Sequence, residues 1–323
     1  MTKITDYTKA IEQAIEQFEY GQSPAELYEP IKYLLKIGGK RLRPALTLLA
    51  YELFEENYQP AIQAALAIEV FHNFTLMHDD IMDEAPLRRG QATVHEKWNR
   101  DVAILSGDVM LVAAYDLLID AAPAAALPAI LKRFSRTAAE VCEGQQLDMN
   151  FANQVVVREE EYIEMIKLKT SVLLGFALEL GARMAGKPEE TIQQLYDIGV
   201  NLGIGFQLKD DILDVYGDPE KFGKQVGGDI IENKKTWLML KALELSGSDT
   251  ELITWINKTA YEPMEKVAAV MTIFDRYGIK EKAEIAMTSY FDKAFASIES
   301  LDIKEERKNV LRDFGKWLYG RDR

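Results

Sequence analysis

An all-α fold, built as one large helical bundle, is predicted for this chain by three features. Apolar residues recur at three- and four-residue steps rather than in alternation. Ala, Leu, Glu and Lys, all good helix formers, are abundant. Gly and Pro fall in short punctuating groups, with stretches of roughly 15 to 25 residues between them. Ile11, Ala14, Ile15 and Phe18 mark the first helix, Leu34 and Leu35 the second, and Leu46, Leu48, Leu49 and Leu53 the third. Gly21-Gln22-Ser23-Pro24, Gly38-Gly39 and the stretch from Asn57 to Pro60 separate these segments. Further breaks at Ala85-Pro86, Pro123, Pro128, Gly186-Lys187-Pro188, Gly217-Asp218-Pro219 and Gly223 to Gly228 bring the expected number of helices to about ten or more. Asp108, after Ser106-Gly107, reads as a helix-start residue. No linker and no shift in composition divides the chain, so a single domain over residues 1–323 is expected, with a central active-site cavity in the bundle core.

Composition narrows the function. With 48% hydrophobic residues, 10 Pro and 20 Gly, the chain can bury a large core and is neither disordered nor fibrous. A formal net charge of −14 argues against a nucleic-acid partner, so any phosphate must be held by local clusters of bases. The lone Cys142 excludes an intramolecular disulfide, and with the 3 His it supplies no tetrahedral zinc set. A cytoplasmic setting is expected. Asp6, Glu12, Glu16 and Glu19 give the amino terminus neither a signal-peptide nor a transit-peptide character. No apolar run approaches membrane-spanning length, so stable membrane insertion is not expected.

The chain carries nearly the same phrase twice: Met77-His78-Asp79-Asp80-Ile81-Met82-Asp83 and Leu208-Lys209-Asp210-Asp211-Ile212-Leu213-Asp214. On a helix the first and last carboxylates of each set stand one turn apart on one face, with the middle one beside them. Two like charges at about 4 Å repel by roughly 4 kcal/mol at an effective dielectric near 20, so each set needs a counter-charge. Hard oxygen donors point to Mg²⁺. Basic residues accompany both sets: Arg88-Arg89-Gly90 after the first, Lys224 and Lys234-Lys235 after the second, and Gly38-Gly39-Lys40-Arg41-Leu42-Arg43-Pro44 upstream. Forked guanidiniums and a glycine-flanked basic loop are anion cradles. Acids repeatedly joined to bases imply a metal-bridged phosphate ligand, and a diphosphate meets both needs.

In this order, Gly38-Gly39-Lys40-Arg41-Leu42-Arg43-Pro44, His72, Asp79-Asp80-x-x-Asp83, Arg88-Arg89-Gly90, Gly144-Gln145, Lys169-Thr170, Gln207 with Asp210-Asp211-x-x-Asp214, Gly223-Lys224, and Lys234 with Thr236 resemble the trans-prenyl diphosphate synthases, the polyprenyl synthetase family, over essentially the whole chain. The resemblance implies an all-α bundle of the isoprenoid synthase type and a homodimer. It implies three Mg²⁺ ions held by Asp79, Asp80, Asp83, Asp210, Asp211 and Asp214. Arg88, Lys169, Lys224 and Lys234 would take the diphosphate oxygens of an allylic substrate, and isopentenyl diphosphate would lie against Lys40, Arg43, His72 and Arg89. Thr170 and Gln207 would line the substrate, and Phe206 is read either as core or as a ring softening the charge of the allylic cation. No side chain reads as a strong general base for the proton lost at the end. In the family the released diphosphate is the usual acceptor.

Chain length is read from the residues before Asp79. Phe74 lies about 7.5 Å along the helix by rise, with Phe71 one turn deeper. Short-chain members of the family resemble this in having an aromatic at the Phe74 position. Thr75 stands where eukaryotic farnesyl synthases have a second aromatic, and the first motif lacks the two-residue insertion of bacterial farnesyl synthases. The pattern leans to a twenty-carbon product, with farnesyl or a longer chain as the alternative, because by helical phase Phe74 points about 140° from Asp79 while Thr75 is nearly aligned with it. Ala92, Gly228 and Asn233 depart from the family, which has Pro, a polar residue and Gly there, but none removes a needed charge. Arg321 and Arg323 are read as a frayed end or as a basic tail that reaches isopentenyl diphosphate. A terpene cyclase typically carries a different second metal motif and needs no second diphosphate pocket. A non-catalytic partner subunit usually lacks an acidic set that this chain keeps.

Overall fold

The computed structural model describes residues 2–154, 156–218, 226–247 and 250–320. It is 79% helical with almost no strand, as the all-α expectation requires. Two compact units emerge, one of Met1–Ser135, Phe176–Tyr196 and Ile303–Val310, the other of Arg136–Gly175, Asp197–Asp302 and Leu311–Arg323.

The first unit opens with α1 (Thr2–Gln17), α2 (Ala25–Lys36), α3 (Leu42–Glu52) and α4 (Ile62–Met82). α4 is its centre and packs on α1, α2, α3 and α6 (Arg100–Ala121). Ala64, Ala65, Leu66, Ala67, Ile68, Val70 and Phe71 are all fully buried on α4. A helix apolar on every side belongs inside, and burying a side chain such as Phe71 contributes about 2–3 kcal/mol. Phe71 meets Phe134 at 5.0 Å between ring centroids, and Phe134 meets Phe176 at 5.8 Å. Arg41, in the left-handed region at φ 49°, ties three helices together from the loop before α3. Its guanidinium bonds Glu12 of α1 at 2.7 Å, Glu69 of α4 at 2.5 Å and the Leu35 carbonyl of α2 at 2.6 Å. That fixes the Gly38-Gly39-Lys40 loop.

Several expectations are corrected here. Between α4 and α5 (Val94–Lys97) the chain forms a two-stranded hairpin, β1 (Leu87–Arg88) with β2 (Gln91–Ala92), too short to announce itself by alternation. Pro128 does not break a helix but sits in the first turn of α7 (Leu127–Asn153), where a missing N–H costs nothing. α6 starts at Arg100 rather than at Asp108, because Asn99 caps it by accepting the Val102 N–H at 2.9 Å. Gly107 is a close-packing glycine, since a Cβ there would fall 2.3 Å from His78 Nε2. α6, at 22 residues, is also long and apolar enough by length and composition to cross a membrane, which the sequence reading denied of every segment.

The second unit holds the later part of α7, α8 (Glu159–Ile166), a π turn at Lys167–Ser171, the start of α9 (Val172–Met184), the later part of α10 (Glu189–Tyr216), α11 (Gly228–Ile231), α12 (Trp237–Ser246), α13 (Thr250–Asn257), α14 (Pro263–Arg276), α15 (Ile279–Ser300) and the end of α16 (Glu305–Tyr319). Glycines let three of these elements touch backbone to backbone. A Cβ on Gly144 of α7 would lie 2.2 Å from the Lys169 nitrogen, and one on Gly203 of α10 2.7 Å from the Ser171 Cα.

Candidate active site

In the first unit, α4 presents the first acidic set at its end. The Asp83 N–H donates to the Asp79 carbonyl at 2.9 Å, so their carboxylates stand one turn apart as the spacing predicts. Asp79 is half-buried and Asp83 exposed, but the middle residue differs: Asp80 is buried. Arg88 grips it in a fork, Nε to Oδ2 at 2.8 Å and Nη2 to Oδ1 at 2.7 Å. The hairpin sets up this grip. Its two turn residues, Arg89 at φ 52° and Gly90 at φ 77°, are both left-handed, the backbone a two-residue turn between twisted strands requires.

Arg89 goes elsewhere. A Cβ on Gly39 would lie 2.7 Å from its Nη1, so the guanidinium rests on the glycine loop. Arg43 Nη1 lies 3.1 Å from His72 Nε2, and because a guanidinium can only donate, His72 accepts there and is neutral. Burial, with the charges of Arg43, Arg89, Arg88 and Arg41, holds its pKa well below the ordinary histidine value. Burial and the neighbouring Arg88 and Arg41 likewise lower Arg89. Cations that depress one another are relieved by a bound anion. Arg43, His72 and Arg89 are thus brought together as expected, with Lys40 exposed on the adjoining loop. Arg41 of the same basic run is spent on the core. Phe74 packs edge-on to His78 at 4.8 Å and against Phe71 at 5.6 Å, while the Thr75 hydroxyl donates to the His72 carbonyl at 2.8 Å.

The second unit repeats the asymmetry. Asp210 and Asp214 of α10 are half-buried, and the middle Asp211 is 3% exposed. Asp211 accepts the Tyr162 hydroxyl at 2.5 Å and the Gln207 amide at 3.3 Å, and the Thr170 hydroxyl stands 3.4 Å from Gln207 Oε1. Burial pushes the Asp211 carboxyl up to about 7, with Asp229 adding to the rise and the bonds from Tyr162 and Gln207 opposing it. The π turn carries Lys169, whose ammonium lies 2.5 Å from Asp148 of α7. Lys234 stands 3.8 Å from Asp229, whose N–H donates to Asp214 Oδ2 at 3.0 Å. Desolvation pulls the Lys234 ammonium down, but Asp229, Asp148 and Asp211 together hold it above the ordinary lysine value. Lys224, with Gly223, falls outside the described residues, as do Arg321 and Arg323.

Sequence reasoning missed Asp148, Tyr162 and Asp229. Asp148 carried a signal, one helical turn after the flagged Gly144. Tyr162 carried none. Among the described residues no three His, Cys, Asp or Glu side chains gather closely enough to hold an ion by themselves. This donor set fits Mg²⁺, which takes one or two carboxylates and completes its shell with water and phosphate oxygens.

Comparison with known proteins agrees with this chemistry. The polyprenyl synthetase family model matches residues 24–274. The chain is 40% identical to the geranylgeranyl pyrophosphate synthase of Geoglobus acetivorans, over 99% of this chain and 98% of that one. It is 41% identical to the geranylgeranyl diphosphate synthase of Methanosarcina mazei, over 96% of this chain and 92% of the relative. A crystal structure of a geranylgeranyl pyrophosphate synthase superposes with a TM-score of 0.92 at 47% identity, covering 100% of this chain and 98% of the other. Twin acidic helix faces, the basic groups beside them and relatives matched nearly end to end lead to one conclusion: the chain belongs to the polyprenyl synthetase family.

Proposed function

We propose that this prenyltransferase joins isopentenyl diphosphate to an allylic diphosphate (dimethylallyl, geranyl or farnesyl) and releases geranylgeranyl diphosphate. One observation carries the reading: each acidic set pairs two carboxylates that reach solvent with a third that is buried and hydrogen-bonded, beside basic residues suited to phosphate. The names of the relatives in Geoglobus acetivorans and Methanosarcina mazei support the product.

In this reading Asp79, Asp80, Asp83, Asp210, Asp211 and Asp214 would hold Mg²⁺, three ions per site. Asp80 and Asp211 are the buried members of the same sets. Mg²⁺ held there would supply positive charge against the diphosphate that leaves when the allylic carbon–oxygen bond ionises. Arg88, Lys169, Lys224 and Lys234 take the remaining diphosphate charge, and Lys40, Arg43, His72 and Arg89 hold isopentenyl diphosphate, whose double bond attacks the allylic cation. A neutral His72 suits this task, since it accepts from Arg43 and leaves the guanidinium oriented. Thr170 and Gln207 turn dipoles rather than nucleophiles toward the cation. Loss of a proton completes the longer product.

Incubation of the purified protein with Mg²⁺, isopentenyl diphosphate and each allylic partner in turn tests the proposal. A discrete twenty-carbon alcohol after dephosphorylation is expected. A fifteen-carbon product, or one longer than twenty carbons, would overturn the length assignment, and no elongation would overturn the reaction. Phe74→Ala is expected to shift the product beyond twenty carbons, because it removes the aromatic proposed to stop the growing chain, with Phe71 behind it and Thr75 beside it. An unchanged spectrum would move that floor elsewhere.

The proposal includes one catalytic domain, a cytoplasmic setting and a homodimer. The dimer is supported by α6, where Ile104 (41% exposed), Leu105 (57%), Val112 (60%) and Ile119 (45%) present an apolar surface suited to a second copy. Light scattering showing only monomer at micromolar concentration would refute it.

A further inference from the structure

Lys266, on α14, has 0% exposure. An ammonium is almost never fully buried without partners. Its Nζ donates to the Ile231 carbonyl at 3.1 Å and to Asn233 Oδ1 at 2.7 Å, and lies 4.4 Å from the centroid of the Tyr261 ring. The Tyr261 hydroxyl donates to the same Ile231 oxygen at 3.0 Å. Neither of these hydrogen-bond acceptors is a carboxylate. The charge is held by a carbonyl, an amide oxygen and a ring face, which is strong enough only if all three stay in place.

What the ammonium holds is a turn. Asn233 sits at φ 56°, in the left-handed region where an L side chain is strained, although Asn tolerates it better than most. It stands where the resemblance expects Gly. Glycine would take the same backbone shape freely but would offer Lys266 no oxygen. Asn233 is anchored on its other side as well, its Nδ2 donating to the Ile256 carbonyl at 3.1 Å. The very next residue is Lys234. Its N–H donates to the Asp229 carbonyl at 2.9 Å, and its carbonyl accepts the Thr236 N–H at 2.9 Å. Lys234 is therefore carried on a short, tied loop whose left-handed hinge is gripped from within the second unit.

We propose that Lys266 is a positioning residue for prenyl transfer: by gripping the Ile231–Asn233 turn it sets where Lys234 presents its ammonium to the allylic diphosphate. Asn233 and Lys266 act as a matched pair, the side-chain oxygen replacing the freedom of a glycine with a fixed anchor. The inference rests on the role given to Lys234 above.

Steady-state kinetics of the full chain with Mg²⁺ separate the two ideas. Lys234→Ala is measured first, and near-normal turnover would overturn the role of Lys234 and this inference with it. Given a damaged Lys234→Ala, Lys266→Met is expected to raise the KM for the allylic diphosphate about tenfold and lower kcat, with the KM for isopentenyl diphosphate within twofold of the unsubstituted chain. In the Lys234→Ala background Lys266→Met should add less than a twofold further loss, because the group it positions is gone. Asn233→Gly, which keeps the backbone shape and should fold even if Lys266→Met does not, is expected to raise the allylic KM about threefold. A purely structural Lys266 would lower the melting temperature and leave both KM values unchanged. That result, equal effects on the two substrates, or full additivity with Lys234→Ala would overturn the proposal.

Discussion

Alanine at Asp79, or separately at Asp210, is expected to lower kcat by at least about a thousand-fold, the scale on which charge stabilisation worth several kcal/mol is lost. Far-ultraviolet circular dichroism should stay unchanged. Both carboxylates are half-buried rather than sealed in the core, so their removal opens no buried cavity. The middle residues behave differently. Asp80 is buried against the half-buried Arg88, so Asp80→Ala should reduce stability as well as rate, a charge-assisted hydrogen bond being worth about 1.5–3 kcal/mol. Near-normal turnover by either Asp79→Ala or Asp210→Ala with Mg²⁺ would refute the metal assignment.

Gly144→Ala should also be damaging, about tenfold less so, from a position that touches no substrate. The added methyl would sit 2.2 Å from the Lys169 nitrogen and 2.7 Å from the Leu168 carbonyl carbon. These are backbone atoms, so no flexible side chain can yield. Either α7 or the π turn must shift by an ångström or so, and displacement of that size in a positioning group costs about a hundredfold in rate. Overpacking should also lower stability by about 1–3 kcal/mol. A variant of normal kcat, with Lys169 demonstrably able to support turnover, would show that the contact relaxes without moving the site.

The parts of this molecule that could be read from its sequence are those in which one residue type has one use. Two Asp-Asp-x-x-Asp sets among apolar neighbours demand a counter-charge wherever they fold, and helix geometry alone places Asp79 and Asp83 on one face. Gly21 to Pro24 and Gly186 to Pro188 end helices for reasons local to the backbone, and helices do end there. The rest depends on partners far away in the chain. Nothing in Asp211 announces that Tyr162 will reach it, and nothing in Arg41 distinguishes it from Arg43, although one is consumed by Glu12 and Glu69 and the other meets His72. Asp108 after Gly107 reads as a helix start because the real purpose of that glycine, room for the His78 ring, exists only once α4 and α6 have met. The hairpin at Leu87 to Ala92 has strands of two residues, below the length at which alternation carries information.

The π turn at Lys167–Ser171 has a consequence for how this protein can change. Such a turn accommodates one residue more than an α turn, so everything after it lags by about 100° relative to an uninterrupted helix. Removing one residue there would give a more regular helix, the kind of edit that stability engineering favours. It would also rotate Ser171 and Gly175 away from the glycines of α10 that they now touch, and swing Lys169 off Asp148. The irregularity works as a reading frame for two helices at once, so a change of length within those five residues disturbs both.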